Sequence, residues 1–215
     1  MDEQLLGHVE STLITQYKTL FLTNKQIVLA SGSRYRRELL ARLGLPFESW
    51  SPNVDERALA GESPRQSAER LSRSKADAAA RRWPQALIIG SDQVADLGGE
   101  AIGKPGTLEN ARAQLARLSG REVLFHTGLC LLDASSGQAQ SCVVTTDVVF
   151  RTLGGAEIDA YLAREPALDC AGSAKSEGLG IALLDRLGGD DPTALVGLPL
   201  IALARMLRNA GVAVP

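Results

Sequence analysis

Ser31-Gly32-Ser33-Arg34-Tyr35-Arg36-Arg37 combines small residues with clustered arginines, a pattern suited to holding an anion. A small-residue loop that runs into a helix leaves backbone N–H groups unpaired and presents the positive end of the helix dipole. Arg34, Arg36 and Arg37 add fixed charge and paired donors matched to phosphate oxygens. Arginines in a first turn oppose the dipole, so they cost local stability unless an anion is bound. The competing reading is a solvated basic turn. The phosphate loop GxxxxGK[ST] is absent from the chain.

Asp92 follows the apolar run Ala86-Leu87-Ile88-Ile89-Gly90, which is expected to be a buried strand delivering Ser91-Asp92-Gln93 at its end. A carboxylate there is expensive to bury unless it meets a metal or a donor, and strand ends are where open α/β sheets place ligands. It could equally cap the next turn. Asp55-Glu56 is a surface pair by itself, but with Asp92 it could hold a divalent metal through oxygens. Lys104, in the rigid turn Gly103-Lys104-Pro105-Gly106, would aim one ammonium, or be solvated. Lys75 lies on a helix and is ordinary by itself. His126 reads as a hydrogen-bonded core residue, and with His8 as its sole companion it makes no zinc cluster. No GxSxG and no catalytic cysteine context point to covalent catalysis.

These residues need elements to position them. Ile27-Val28-Leu29-Ala30 reads as a strand that ends in the Ser31 loop, followed by a helix capped by Ser33, faced by Leu39, Leu40 and Leu43, and ended by Gly44. A second helix starts at Ser63 with Pro64 first, Gln66 closing a capping box, and an end near Arg82. Thr107 caps a third, with Leu108, Ala111, Leu115 and Leu118 on one side. Glu122 to Leu132 and Ser141 to Arg151 read as long strands around the loop 133–137. A helix from about Glu157 stops at Arg164 before Pro166, and a last one buries Leu200, Leu203 and Leu207. The pattern is a single α/β unit over 25–215 with two lobes around a cleft. In residues 1–24, Leu6, Val9, Leu13, Tyr17 and Leu20 recur at helical spacing, which predicts an amphipathic helical extension. Its acidic start and interrupted apolar core do not read as a signal peptide.

Composition narrows the function. The chain has 215 residues, 45% hydrophobic and 22% charged, with a formal net charge of -2. Nothing in that balance suggests a broad nucleic-acid-binding face, so an anion site must be local. Cys130, Cys142 and Cys170 are odd in number and lack CxxC spacing, which reads as reduced thiols in a cytoplasmic protein. No segment approaches the roughly 20 apolar residues that span a bilayer.

Taken in order, several segments resemble the Maf family. They are Leu29-Ala30-Ser31-Gly32-Ser33 with Arg36-Arg37, Val54-Asp55-Glu56, Gly90-Ser91-Asp92-Gln93-Val94 and Gly103-Lys104-Pro105. Further on come Ala171-Gly172-Ser173-Ala174-Lys175-Ser176-Glu177-Gly178 and Gly189-Asp190-Asp191-Pro192-Thr193-Ala194-Leu195-Val196-Gly197-Leu198-Pro199. The resemblance implies a mixed, strongly twisted central sheet flanked by helices, related to the inosine-triphosphate pyrophosphatases. It also implies a cytoplasmic homodimer that cleaves the α–β bond of a nucleoside triphosphate with Mg²⁺, Mn²⁺ or Co²⁺, with no nucleic-acid or membrane partner. By position, Asp92 matches the catalytic proton acceptor. Ser31, Arg36, Arg37, Lys75, Lys104 and Lys175 match substrate-binding positions, and Glu56 joins Asp92 at the metal. Ser91-Asp92-Gln93 and Lys175-Ser176-Glu177 resemble the 7-methyl-GTP branch, which puts specificity on Tyr35, Gln93 and Glu177. Arg34-Tyr35 stands where that branch usually has Pro-Trp, and Tyr offers a weaker stacking face. A dTTP/UTP pyrophosphatase and a nucleotide-binding regulator of septum formation are the alternatives.

Overall fold

The computed structural model describes residues 25–214, so the helical extension expected for 1–24 lies outside the described residues. The strands are β1 (Ile27–Leu29), β2 (Glu48–Ser49), β3 (Leu87–Leu97), β4 (Glu100–Ile102), β5 (Glu122–Asp133), β6 (Ala139–Phe150) and β7 (Leu184–Gly188). The helices are α1 (Arg34–Ala41), α2 (Pro64–Ala80), α3 (Leu108–Leu118), α4 (Gly155–Arg164) and α5 (Leu200–Asn209), with short 3₁₀ turns at Ala171–Ser173 and Leu179–Leu183. One mixed sheet runs β2-β1-β3-β5-β6-β7, with β4 also paired to β3. β1 pairs in parallel with β2 and β3, and the remaining pairings are antiparallel. This is the mixed α/β sheet flanked by helices that the sequence suggests.

β3 corrects one expectation. Ser91-Asp92-Gln93 does not end the strand but lies in its middle, because β5 pairs with β3 continuously from Leu87 to Asp96. The opposite edge is interrupted instead. β1 covers Leu87 to Ile89, β4 covers Ala95 to Leu97, and the stretch between them has no strand partner on that side. A cleft opens at this gap, between the ends of β1 and β4, so Asp92 borders it although β3 itself runs on.

Alternation along β3 and β5 assigns the two faces. Ile88, Gly90 and Asp92 face α2 beside Leu132, Cys130 and Gly128, their register partners. A Cβ on Gly90 would lie 2.1 Å from the backbone oxygen of Ser72, and one on Gly128 would lie 2.1 Å from that of Ala68. Only glycine lets α2 approach this closely. Ala76 and Ala79 complete the contact with Ile88 and Cys130.

The other face carries two apolar clusters. Leu39 and Leu40 of α1 and Leu203 and Leu207 of α5 cover Ile89 and Leu129, while α3 and α4 cover Ala95 and Phe125. Between them runs a polar band. Ser91 Oγ donates to Gly197 O at 2.9 Å, Gln93 Nε2 to Ala194 O and Leu195 O at 3.0 and 2.9 Å, and Thr127 Oγ1 to Ala194 O at 2.9 Å. The band anchors segment 194–197 across the sheet. Buried Asp191 anchors the start of α5, accepting from the N–H groups of Ile201 and Ala202 in its first turn at 2.7 and 3.4 Å.

The glycine contact yields a prediction. Gly128→Ala must lift α2 or fail to pack, and should lower unfolding free energy by about 3 kcal/mol or more, at the upper end of overpacking costs. Gly103→Ala has open space and an ordinary φ, and should change it by less than about 0.5 kcal/mol. Urea denaturation of both variants is the check; equal effects would remove the close-approach argument.

Candidate active site

Where α2 crosses the open edge of β3, Lys75 Nζ lies 2.5 Å from Asp92 Oδ1 and 2.7 Å from Glu56 Oε1. The Lys75 and Asp92 side chains are 9% and 12% exposed, so this ammonium–carboxylate contact is desolvated. Glu56 reaches it from the loop before α2. That loop is tied down through Glu62, which accepts from Arg70 Nε at 2.5 Å, Ser67 Oγ at 2.8 Å and Leu59 N at 3.0 Å. The hydrogen bonds from Arg70 lead in holding the Glu62 carboxyl down at about 2. Ser63 and Gln66 form the capping box read from the sequence. Burial alone would raise the Glu56 carboxyl, but the hydrogen bond and charge of Lys75, with the charges of Lys104 and Arg36, hold it below its ordinary value. Asp55 turns away and is exposed, gripped by Arg57.

The Ser31 loop forms the adjoining wall. Ser31 Oγ accepts from Ser33 N at 3.1 Å and from an Arg36 guanidinium nitrogen at 3.3 Å, and Arg36 Nε donates to Gly197 O at 2.8 Å. Ser33 caps α1 by accepting from Arg36 N. Desolvation lowers the Arg36 pKa, opposed by the carboxylates of Asp92 and Glu56. Arg37 is different. It is exposed, and it does not line the cleft. One residue along a helix is a rotation of about 100°, so Arg36 and Arg37 cannot share one side of α1. Its position gives no support to the substrate-binding role expected from the sequence.

The cleft consists of two contiguous cavities of about 460 and 510 Å³ that share Tyr35, Arg36, Glu56, Lys75, Lys104 and Asp169 among their walls. The larger adds Ser31, Gly32 and Arg34, so four cationic side chains (Arg34, Arg36, Lys75, Lys104) face two carboxylates (Glu56, Asp169). The smaller adds Asp92, Gln93, Phe125, Leu195 and Glu177, so four carboxylates (Glu56, Asp92, Asp169, Glu177) face three cations (Arg36, Lys75, Lys104). The cleft is therefore biased positive at one end, while the other is partly apolar and carries Glu177 as an exposed carboxylate without an ion-pair partner among the described residues. Gln93 is in the second cavity, but its nitrogen is committed to Thr127, Ala194 and Leu195, which leaves its oxygen to meet a ligand.

A bridge crosses the cleft wall. Arg34 donates to the Tyr35 hydroxyl at 2.7 Å, Tyr35 donates to Asp169 Oδ2 at 3.3 Å, and Lys175 Nζ pairs with Asp169 Oδ1 at 3.6 Å. Lys175 is 12% exposed and lies 5.9 Å from the Tyr35 ring centroid. Lys175 belongs to this wall and does not itself line either cavity. Burial would raise Asp169, but the charge of Lys175 and hydrogen bonds from the backbone, Cys170 and Tyr35 hold it below its ordinary value. Burial and the Asp169 charge push the Cys170 thiol up to about 12, so it is no nucleophile. Sequence reasoning misses Asp169 and Cys170 as wall residues; a lone Asp beside a Cys carries no spacing signal, and only the fold places them beside Tyr35. Glu177 is exposed in the cavity and forms no hydrogen bond or ion pair with Lys175 or Arg37. His126 is buried between Thr145 and Asp96, at 3.0 and 3.1 Å, as the sequence suggests.

Among the described residues no group of three or more His, Cys, Asp and Glu is arranged to hold a metal ion. The available donors are Glu56 and Asp92, bridged by an ammonium. Two hard carboxylates fit a cation such as Mg²⁺ that arrives with phosphate oxygens and water as its other ligands, and do not fit a metal caged by protein alone. Among the described residues no helix is long and apolar enough to cross a membrane.

Residues 26–210 match a family model described as Maf-like protein. The chain is 58% identical over 190 residues to a 7-methyl-GTP pyrophosphatase of Xanthomonas campestris, covering 88% of this chain and 98% of that one. A protein of the same name from Cupriavidus metallidurans is 57% identical over 88% of this chain and 95% of its own. One from Burkholderia thailandensis is 60% identical over 86% and 88%.

The buried pair can be tested without any ligand. Lys75→Met leaves Asp92 buried without its direct ion-pair partner, with Arg36 as a remaining nearby cation, and should cost about 3 kcal/mol of unfolding free energy. Glu56→Gln alters a side chain that is 58% exposed and should cost less than about 1 kcal/mol. Small and equal losses in urea titrations would mean that the pair is not desolvated.

Proposed function

The chain belongs to the Maf family, and from that premise we propose that it hydrolyses 7-methyl-GTP to 7-methyl-GMP and pyrophosphate. Its relatives are named as pyrophosphatases, and a nucleotide pyrophosphatase is the activity the chain shares with them. The observation that carries the choice of substrate is the charge asymmetry of the cleft. A triphosphate suits the cation-rich cavity beside the N-terminus of α1, and a positively charged methylated base suits the acidic, partly apolar one.

In this reading, water attacks the α-phosphorus and the bond to the α–β bridging oxygen breaks, so pyrophosphate leaves with that oxygen. Lys75 engages Asp92 Oδ1, and the second Asp92 oxygen takes the proton from the attacking water. Arg36 and Lys104 neutralise charge that builds on the departing pyrophosphate, and Ser31 holds the Arg36 head in place. Glu56 and Asp92 would hold a divalent cation (Mg²⁺, Mn²⁺ or Co²⁺), which supplies charge neutralisation and a more acidic water when bound. Tyr35 offers a stacking face, Gln93 an amide oxygen and Glu177 a carboxylate to the base. Arg37 and Lys175 act from outside the cavities, Arg37 as general positive potential and Lys175 through the Tyr35 wall. A cytoplasmic homodimer completes the reading.

A nucleotide panel with quantified products tests it. We predict 7-methyl-GMP and pyrophosphate in equal amounts, a higher kcat/KM for 7-methyl-GTP than for GTP, dTTP or UTP, and no turnover with chelator. Asp92→Asn should lower kcat by at least the roughly 10²-fold typical of a lost general base. Preference for dTTP or UTP would move the chain to another substrate, and binding without turnover would make it a regulator.

A further inference from the structure

Asp169 stands in the cleft wall between two groups of opposite consequence for a cationic base. Lys175 is a nearly buried ammonium beneath the Tyr35 ring, and an unneutralised charge there repels a positively charged base stacked on that ring. Glu177 is two residues further along the same turn, exposed in the cavity and without an ion-pair partner among the described residues. Glu177 lies in the turn that Lys175 opens and carries no ion pair among the described residues, so it is a carboxylate to which Lys175 can turn if Asp169 is lost. Asp169 prevents this by engaging Lys175 at 3.6 Å, and it pins the Tyr35 ring by accepting from its hydroxyl at 3.3 Å.

We propose that Asp169 is a positioning residue for base selection: by occupying Lys175 and Tyr35 it neutralises the wall beneath the ring and keeps Glu177 available to a cationic base. The inference rests on the 7-methyl-GTP reading above. The Arg34 guanidinium lies 4.7 Å from the same ring centroid, so with Asp169 present Arg34 and Lys175 are balanced by Asp169 and Glu177. Removing the Asp169 charge leaves the wall one unit positive and releases an ammonium toward Glu177. The loss is selective, because a neutral guanine is repelled little by a net positive wall. It is also partly screened, since the Asp169 side chain is 56% exposed, so low ionic strength gives the clearest signal.

The experiment is a mutant cycle on Asp169→Asn, Lys175→Met and the double variant, read as the ratio of kcat/KM for 7-methyl-GTP to that for GTP. Binding of 7-methyl-GMP and GMP, followed by calorimetry without metal, gives a second readout independent of turnover. The ratio should fall about three- to tenfold in Asp169→Asn and recover most of that in the double variant, where no ammonium remains to capture Glu177. Lys175→Met alone should keep the wild-type ratio or raise it. Equal losses on both nucleotides in Asp169→Asn, or a double variant no more selective than Asp169→Asn, would overturn the proposal. If Asp169→Asn does not fold, Lys175→Met decides: a fall in its ratio overturns the proposal. A wild-type protein with no preference for the methylated nucleotide would instead overturn the function reading, before any variant is made.

Discussion

Gly90 and Gly128 let the backbone of α2 rest directly on β3 and β5, and this contact sets where Lys75 can be. Lys75 lies four residues from both Leu71 and Ala79 on the buried face of α2, so its stem is held against the sheet and its ammonium reaches β3 where the strand edge is open. There it meets Asp92 on β3 and Glu56 on the loop that Glu62 and Arg70 fasten to α2. A side chain on either glycine would move the helix, and the ammonium with it. The site geometry is thus a consequence of main-chain packing more than of any polar contact within the site.

The sheet gap and the polar band act together. A continuous partner along β3 would fill the cleft, and a continuous apolar face would leave nothing to hold segment 194–197. Ser91, Gln93 and Thr127 are buried or half-buried polar groups, which is costly unless each is paired, and each is paired to a carbonyl of that segment or of the sheet. Gly197 O in turn accepts from Arg36. Arg36 is therefore oriented by a chain of hydrogen bonds that starts in the sheet.

Elements with local signatures were legible in the sequence. The Ser63–Gln66 capping box, the Thr107 cap and the long β5–β6 pair are where the residues put them. The extent of β3 was not legible, because its second half alternates polar and apolar and its length is set by β5, far along the chain. β2, β4 and β7 are too short to carry a pattern of their own. Most of the site shared that fate in part. Ser31, Arg36, Glu56, Lys75, Asp92 and Lys104 could be picked out by type and order, and they do line one cleft. Arg37 could not be separated from Arg36 without the helix phase, and Asp169 depends on a tertiary contact 134 residues away in sequence.

The cleft is organised by charge, with cations near the α1 N-terminus and carboxylates beside Phe125 and Leu195. Arg34 and Arg36 sit on α1, Lys75 on α2 and Asp92 on β3, so a nucleotide should enter in one direction. The most direct test is a crystal structure of Asp92→Asn with 7-methyl-GTP and Mg²⁺. The triphosphate should lie against Ser31, Arg36 and Lys104, with the methylated base between Tyr35 and Glu177. A nucleotide bound in the reverse direction, or a base lying outside the cavity, would contradict a cleft ordered by charge.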